Sequence, residues 1–198
     1  MTEKSIYKEI KPKTDLKDFV HSFWMHHNNT NAVEKITIIP DSYFKMVITI
    51  KNNKIISYFM TGLWTEEKII PIASNATTFG CRLKILAPEF LLEKEIASIT
   101  NGFQQLDLNF LNANKFDVSS FESIVEQWQN ELILKISNKE IPGNKLRLSQ
   151  LLDTTNGEIS ATEVSNQIYW TNRQINRYLN KYIGVSLKKY LINFKYHF

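Results

Sequence analysis

The stretch from Thr171 to Leu191, TNRQINRYLNKYIGVSLKKYL, contains a short amphipathic helix, a glycine and the beginning of a further helix. Apolar side chains recur on one side at helical spacing, and polar or basic ones fall on the other: Ile175, Tyr178, Leu179 and Tyr182 against Arg173, Asn176, Arg177 and Asn180. Thr171 and Gln174 have the spacing of a capping box, which predicts a helix beginning at Asn172. Its polar face either binds a partner or is an ordinary solvated surface.

A second helix is predicted immediately upstream, in the segment SATEVSNQIYW at 160–170, with Val164 and Ile168 facing inward. Two helices joined by a tight turn form a helix-turn-helix, whose second helix lies in the major groove of DNA. Arginine pairs with guanine, and asparagine or glutamine with adenine, so we predict these base contacts: Asn172, Arg173, Gln174, Asn176 and Arg177. Predicted phosphate contacts are Thr171, Lys181, Lys188, Lys189 and Lys145. The competing interpretation is a solvated helix in a helical bundle.

Charge is unevenly distributed along the 198 residues. From Lys145 onward there are eight Lys or Arg and three Asp or Glu, a net charge of +5, whereas the whole chain has +4. The first 144 residues therefore have a net charge of about −1, and a basic segment on a near-neutral body is typical of a polyanion-binding module. No apolar run is long enough to span a bilayer, and the N-terminus lacks the apolar core of a signal peptide. We therefore expect a cytoplasmic protein without membrane contact.

The first half of the chain has the pattern of β-strands. Between about Thr30 and Leu86, short runs rich in β-branched and aromatic residues alternate with turn residues, and Asn52-Asn53 predicts a tight hairpin. We expect an antiparallel β barrel or sandwich. Five residues could line a ligand cavity in it or simply form its core: Trp24, Phe44, Met46, Phe59 and Trp64.

The second half has a helical pattern. The clearest helix spans about 118–136, with Ser119 or Ser120 as its N-cap and an apolar stripe that either dimerises or packs on the β-strands, including Phe121, Trp128 and Leu132. Pro142-Gly143 marks a boundary. The predicted fold class is α+β, with a β-rich domain at 1–137 that ends in this linker helix, and an all-α helix-turn-helix unit at 144–198.

The segment Gly157–Phe198 resembles the first half of an AraC/XylS-type DNA-binding domain. The matching residues are Ile159-Ser160, Val164-Ser165, Thr171, Arg173 to Arg177, Leu179, Gly184, Ser186, Lys188 and Tyr190. Shorter stretches before residue 95 resemble the sensor-like, cupin-like β-domain that precedes such domains in part of the family. The resemblance implies a transcriptional regulator that binds double-stranded DNA, with a small-molecule effector and a homodimer as further expectations.

Two departures from the family pattern bear on this expectation. The family has two helix-turn-helix units, whereas this sequence ends at Phe198 inside the helix that would join them. We expect either a fragment or a reader with fewer phosphate contacts and a flatter salt dependence. The turn contains Tyr169-Trp170 where the family usually has a small residue, and these aromatics either seal the core or replace packing from the missing unit.

Two other classes of function stay open. One is a non-enzymatic ligand- or protein-binding module whose helical unit serves packing or dimerisation. The other is a barrel enzyme that uses His21, His26 and His27. Adjacent His26 and His27 point to opposite faces of a strand, and the sequence lacks phosphate loops and nucleophile elbows, so we expect no enzyme, no metal site and no cofactor. The lone Cys81 excludes an internal disulfide framework and is more typical of a small buried side chain than of a reactive thiol.

Overall fold

The computed structural model describes residues 5–195, so residues 1–4 and 196–198, the outer ends of the two predicted domains, lie outside the described part. The fold is α+β, as predicted, with strands in the first half and helices in the second. The strands of the described part are β1 Ile6–Ile10, β2 Val20–Asn28, β3 Glu34–Ile38, β4 Phe44–Lys51, β5 Lys54–Thr61, β6 Lys68–Ile72, β7 Ala76–Leu83 and β8 Phe103–Gln105.

These strands form two antiparallel sheets. The larger has the order β1-β2-β7-β4-β5-β8, and β3 pairs with β6 in a separate two-stranded sheet. Asn52 and Asn53 both have positive φ, +52° and +56°, which is the geometry of a two-residue hairpin turn and confirms that prediction. The sequence pattern did not indicate β1, because this edge strand exposes most of its residues and has no buried alternation.

The larger sheet is covered on both faces. On its inner face lie side chains such as Phe44, Met46 and Ile48, which are almost fully buried. The alternating residues Lys45, Val47 and Thr49 face the β3–β6 sheet across a cavity. The described strands therefore form a sandwich, one of the two predicted arrangements, and not a closed barrel.

The helices mostly follow the strands, and those predicted at about 118–136, within 160–170 and from Asn172 agree with the prediction to within a few residues. They are α1 Ala87–Phe90, α2 Phe121–Ile136, α3 Gly143–Thr154, α4 Ala161–Ile168, α5 Asn172–Tyr182 and α6 Leu187–Lys195. Short 3₁₀ turns lie at Thr14–Leu16, Ala97–Ile99 and Phe110–Lys115. Among residues 5–195, every helix is too short or too polar to cross a bilayer.

Helix α2 packs on the inner face of the larger sheet. Ser120 is its N-cap and accepts a hydrogen bond from the Ser123 backbone N–H at 3.0 Å. The Trp128 ring lies 6.2 Å from that of Phe23, and Phe121 stacks on Phe79 at 6.0 Å. Because Phe121, Trp128 and Leu132 are buried in this contact, the idea that this stripe dimerises is wrong: it forms the core between helix and sheet.

The predicted helix-turn-helix unit shares one continuous hydrophobic core with the β-domain. Helix α6 contributes five buried side chains, namely Leu187, Tyr190, Leu191, Asn193 and Phe194. The Ile96 backbone N–H donates to the Tyr182 carbonyl at 2.9 Å, which attaches the end of α5 to the loop before the Ala97–Ile99 turn. The helical unit is therefore fixed on the β-domain in this conformation.

Candidate nucleic-acid interface

Capping boxes define the beginnings of both α4 and α5. The Thr171 Oγ1 accepts from the Gln174 backbone N–H at 3.2 Å, and the Gln174 Oε1 accepts from the Thr171 N–H at 2.8 Å. Ser160 and Glu163 make the same reciprocal pair at α4. Each box satisfies two backbone N–H donors at the helix start, one at the N-cap and one three residues later. The predicted start of α5 at Asn172 is confirmed.

A three-residue turn at 169–171 joins the two helices, and its aromatic residues have different environments. Trp170 is half-buried, its ring lies 5.8 Å from that of Tyr178, and its carbonyl accepts from the Ser165 hydroxyl at 2.5 Å. Tyr169 has a left-handed conformation, φ +57°, and is 82% exposed. Trp170 therefore seals the helix junction, whereas Tyr169 adds no buried packing.

The helices pack through the predicted inward residues. Val164 and Ile168 of α4 are buried with Ile175 and Leu179 of α5, and α3 adds Leu148 and Leu152. Fully burying such aliphatic side chains contributes about 1.5–3 kcal/mol each. This core fixes the rotation of α5, and so determines which of its side chains face outward.

The outward face of α5 presents Arg173, Arg177 and Asn180, with Asn172 beside them in the first turn; all four are exposed. At about 100° per residue, the first three lie within roughly 60° of each other around the helix axis. Within residues 5–195, neither guanidinium makes an ion pair or a hydrogen bond. Their donors are free to bind an external acceptor.

Two of the predicted base-contact residues make hydrogen bonds within the helical unit. Asn176 is half-buried: its Oδ1 accepts from the Leu187 N–H at 2.8 Å, and its Nδ2 donates to the Asn172 carbonyl at 2.9 Å. It thereby fixes the first turn of α6 against α5. Gln174 is exposed, but its Oε1 belongs to the capping box, which leaves only its Nε2 free. A bidentate base contact that reorients the Asn176 amide would break both bonds.

The predicted phosphate contacts also differ in availability. Lys145 is half-buried, 2.6 Å from Glu89, and its ammonium lies over the rings of Phe90 and Tyr178. Its charge is already balanced by Glu89, so a phosphate contact by Lys145 would have to compete with this ion pair. Lys189 is half-buried and donates weakly, at 3.4 Å, to a backbone carbonyl of the β-domain.

The other predicted phosphate contacts, Lys181, Lys188 and Thr171, are exposed on the surface near α5. Lys181 is exposed and 3.7 Å from Glu95, a surface pair that contributes at most about 1 kcal/mol. Lys188 is exposed and has no acidic partner within the described part of the chain. Thr171 is exposed at the start of the helix, with its hydroxyl engaged in the cap.

A cavity of about 220 Å³ lies between the two sheets of the β-domain. Trp24, Phe59 and Trp64 line it, as predicted. Phe44 and Met46 do not, because strand alternation points them to the opposite, α2-covered face. Lys45 and Thr78 also line the cavity, and no sequence signal was used to place them there.

Hydrogen bonds connect the walls of this cavity to α6. Tyr190 of α6 donates through its hydroxyl to the Ser42 carbonyl at 3.0 Å, in the segment that leads into cavity-lining Lys45. Asn193 donates through its Nδ2 to the carbonyl of cavity-lining Trp64 at 2.9 Å. The cavity and the helical unit are therefore mechanically joined at two points.

The three histidines have separate partners rather than a common site. His26 Nε2 lies 2.9 Å from Glu34, His27 Nδ1 lies 2.9 Å from Thr77, and His21 stacks on Tyr43. Within residues 5–195, no three His, Cys, Asp or Glu side chains converge on a point where a metal could bind. Cys81 is fully buried, and burial raises the pKa of its thiol, as expected for a packing residue.

In comparisons with known proteins, one family model matches most of the β-domain. Residues 8–105 match a family described as a domain of unknown function, DUF6597. No curated protein matches the chain significantly. Among solved structures, the chain is similar to the crystal structure of ToxT from Vibrio cholerae O395, with 10% identity and a TM-score of 0.35 over 97% of this chain and 78% of that one. A TM-score of this size does not establish a shared fold.

Proposed function

We propose that this chain is a DNA-binding transcriptional regulator of AraC type that reads the major groove with α5. The observation that supports this most is the outward face of α5, where Arg173 and Arg177 have no partner within residues 5–195. The guanidinium fork matches guanine O6 and N7, and the amides of Asn172 and Asn180 match adenine. The sequence resemblance of Gly157–Phe198 to the AraC/XylS-type domain points the same way.

Rigid presentation supports base reading rather than loose electrostatic binding. Helix α5 is capped at Thr171, packed through Ile175 and Leu179, and fixed to α6 through Asn176. The backbone of such a helix loses little conformational freedom on binding, which favours sequence-specific contacts. Lys181 and Lys188 flank this face as candidate phosphate contacts, which add affinity without sequence information.

Control by a ligand or a partner at the β-domain forms part of the proposal. The bonds from Tyr190 to Ser42 and from Asn193 to Trp64 give a route by which a change at the cavity would move α6, and with it α5. We further propose a non-enzymatic, cytoplasmic protein that acts as a homodimer on DNA, through a surface other than the buried stripe of α2.

Two observations favour the alternative, a ligand- or protein-binding module whose helical unit serves packing. Helix α6 is embedded in the β-domain, and Lys145 is neutralised by Glu89. Both features lower the number of cations available for DNA. The alternative does not need the free arginines of α5, and this difference makes the two hypotheses separable.

Fluorescence anisotropy separates them, using labelled duplexes that the wild-type chain selects from a random pool and the random pool itself, each over a range of about 50–200 mM salt. The test variant is Arg173→Ala/Arg177→Ala. The matched control is Lys54→Ala/Lys68→Ala, which removes the same charge from exposed positions of the β-domain. Two bidentate contacts of about 1–3 kcal/mol each predict a loss of roughly 30-fold or more on selected sites for the test variant alone. Equal, negligible binding by all three proteins would favour the packing alternative.

A further inference from the structure

The cavity between the two sheets has the properties of a built binding site. We propose that it binds a small, neutral and mostly apolar molecule with one hydrogen-bonding group, about the size of a substituted benzene ring. This deepens the proposed function by giving the control site a ligand class, and binding can be measured without DNA. The cavity has a volume of about 220 Å³ and is partly open to solvent, so a small molecule can enter it.

The wall formed by the two-stranded sheet is mostly apolar, whereas the wall formed by the larger sheet is mixed and includes Lys45, Thr49, Ser57, Thr61 and Thr78. The two-stranded sheet contributes four aliphatic side chains, Ile36, Ile38, Ile70 and Ile72, and the larger sheet adds Val47 and Phe59. An apolar cavity of about 150 Å³ is enough to bind benzene. The larger volume here leaves room for a ring with one or two substituents, which would gain from removal of its surface from water.

Two buried polar atoms on one wall define the polar part of the ligand. Within residues 5–195, neither the Trp24 Nε1–H nor the Thr78 Oγ1 has a hydrogen-bond partner, although both atoms are inaccessible to solvent and Thr78 is only 5% exposed. Both residues line the cavity. Buried polar groups are paired in the large majority of cases, and leaving one unpaired costs about 1–3 kcal/mol. A small shift of the surrounding side chains would let a ligand oxygen accept from Trp24 or bond Thr78, and so pair a group that is otherwise unpaired.

Gly80 holds the indole of Trp24 at this wall. Trp24 and Gly80 are directly opposite in the β2–β7 pairing, and Gly80 lies on the same face of β7 as Thr78. A Cβ atom on Gly80 would lie 2.1 Å from Trp24 Cε2, so the ring lies directly on the glycine. Glycine weakens a strand interior, and close approach of another group is one reason to find it there. Here the approaching group is the indole.

Charge at the cavity favours a neutral ligand. Lys45 lines the cavity and is buried, and its ammonium lies 2.8 Å from Asp41 Oδ2 and 3.2 Å from the Tyr43 carbonyl. The pair is balanced, so a carboxylate ligand would introduce a buried charge without a counterion. Burying an unpaired charge is strongly unfavourable. Phenols, small aromatic alcohols and aryl ketones fit these conditions.

Isothermal titration calorimetry on the whole chain tests the site with three probes of similar size: p-cresol, toluene and benzoate. We expect p-cresol to bind most tightly, toluene about tenfold more weakly because it cannot bond Trp24 or Thr78, and benzoate not to bind. Failure of the wild-type chain to bind p-cresol at millimolar concentration would overturn the proposal.

Two variants locate the binding. Thr78→Val keeps the shape and removes the unpaired hydroxyl, so we expect an unchanged or higher melting temperature and about tenfold weaker p-cresol binding. Thr37→Val is the matched control on the exposed face of β3 and should bind like wild type. Val47→Phe should fill the cavity and abolish binding. Equal p-cresol affinity in wild type and Thr78→Val would contradict the site.

The outcome of the ligand test does not depend on the outcome of the DNA test. Arg173→Ala/Arg177→Ala changes only the outward face of α5, so it should bind p-cresol like wild type whatever it does to DNA. Loss of p-cresol binding in this variant would show that the probe binds elsewhere and would overturn the assignment to the cavity.

Discussion

Replacing Tyr190 by phenylalanine tests whether α6 is an integral part of the β-domain. The Tyr190 hydroxyl donates to the Ser42 carbonyl at 3.0 Å, and both residues are almost fully buried. Phenylalanine keeps the ring but leaves that carbonyl without this donor. A lost net hydrogen bond of about 0.5–1.5 kcal/mol, with part of the penalty for an unpaired buried acceptor, predicts a loss of about 1–2 kcal/mol in the free energy of unfolding.

Urea unfolding followed by tryptophan fluorescence and circular dichroism measures this loss. Tyr169→Phe is the control, because it removes the same atom from a ring that is 82% exposed, and its effect should stay within about 0.5 kcal/mol. Both probes should report one transition for each protein, since the helical unit and the sheet share one core. A Tyr190→Phe variant as stable as wild type, or a separate early transition of the helices, would refute the reasoning.

Three further predictions concern single side chains. Asn176→Ala removes the acceptor of the Leu187 N–H, so the free energy of unfolding should fall by about 1 kcal/mol in urea titrations, while Asn172→Ala should change it little. Gly80→Ala should displace the Trp24 indole, lower the melting temperature and weaken p-cresol binding in calorimetry. Burial and neighbouring cations lower the pKa of His21 to about 4. As the pH falls from about 6.5 to 4, the His21 imidazole therefore takes up a proton in the unfolded chain before it does so in the folded chain. Over this range the free energy of unfolding should decrease by about 1 kcal/mol, after allowance for the partial solvent exposure of His21. Unfolding curves measure this decrease, which should be smaller in His21→Phe.

The elements were largely predictable because their signals are local. Helix α5 follows from the Thr171–Gln174 capping pattern and apolar periodicity, and the β4–β5 hairpin follows from Asn52-Asn53. Strand β1 has no such signal, because its side chains are mostly exposed and its pairing with β2 supplies its stability.

The face of a strand that lines a cavity was not predictable from β4. Both alternating sets of this strand are partly apolar, since Phe44, Met46 and Ile48 face α2 while Val47 faces the cavity. Period-two alternation separates the two sets but does not say which one meets a helix and which one meets a second sheet. Lys45 within an apolar strand was the signal that could have pointed to the right set, since a buried lysine needs a partner such as Asp41.

Side-chain roles in the helical unit depended on distant contacts. Asn176 has the chemistry of a base reader, and only its contact with Leu187, eleven residues later, makes it a cap. Lys145 has the chemistry of a phosphate contact, and only Glu89, fifty-six residues earlier, neutralises it. The exposure of Arg173 and Arg177 was predictable, because it follows from the local helical periodicity.

Selection of binding sites from random duplex DNA tests the central proposal most directly. The wild-type chain should enrich a short motif that fits one major-groove face, including guanine at the positions read by Arg173 and Arg177. Selection with Arg173→Ala should lose preference at one of those positions and keep the rest. Lack of any enriched motif with the wild-type chain, or the same motif from wild type and the Arg173→Ala/Arg177→Ala variant, would contradict reading by α5.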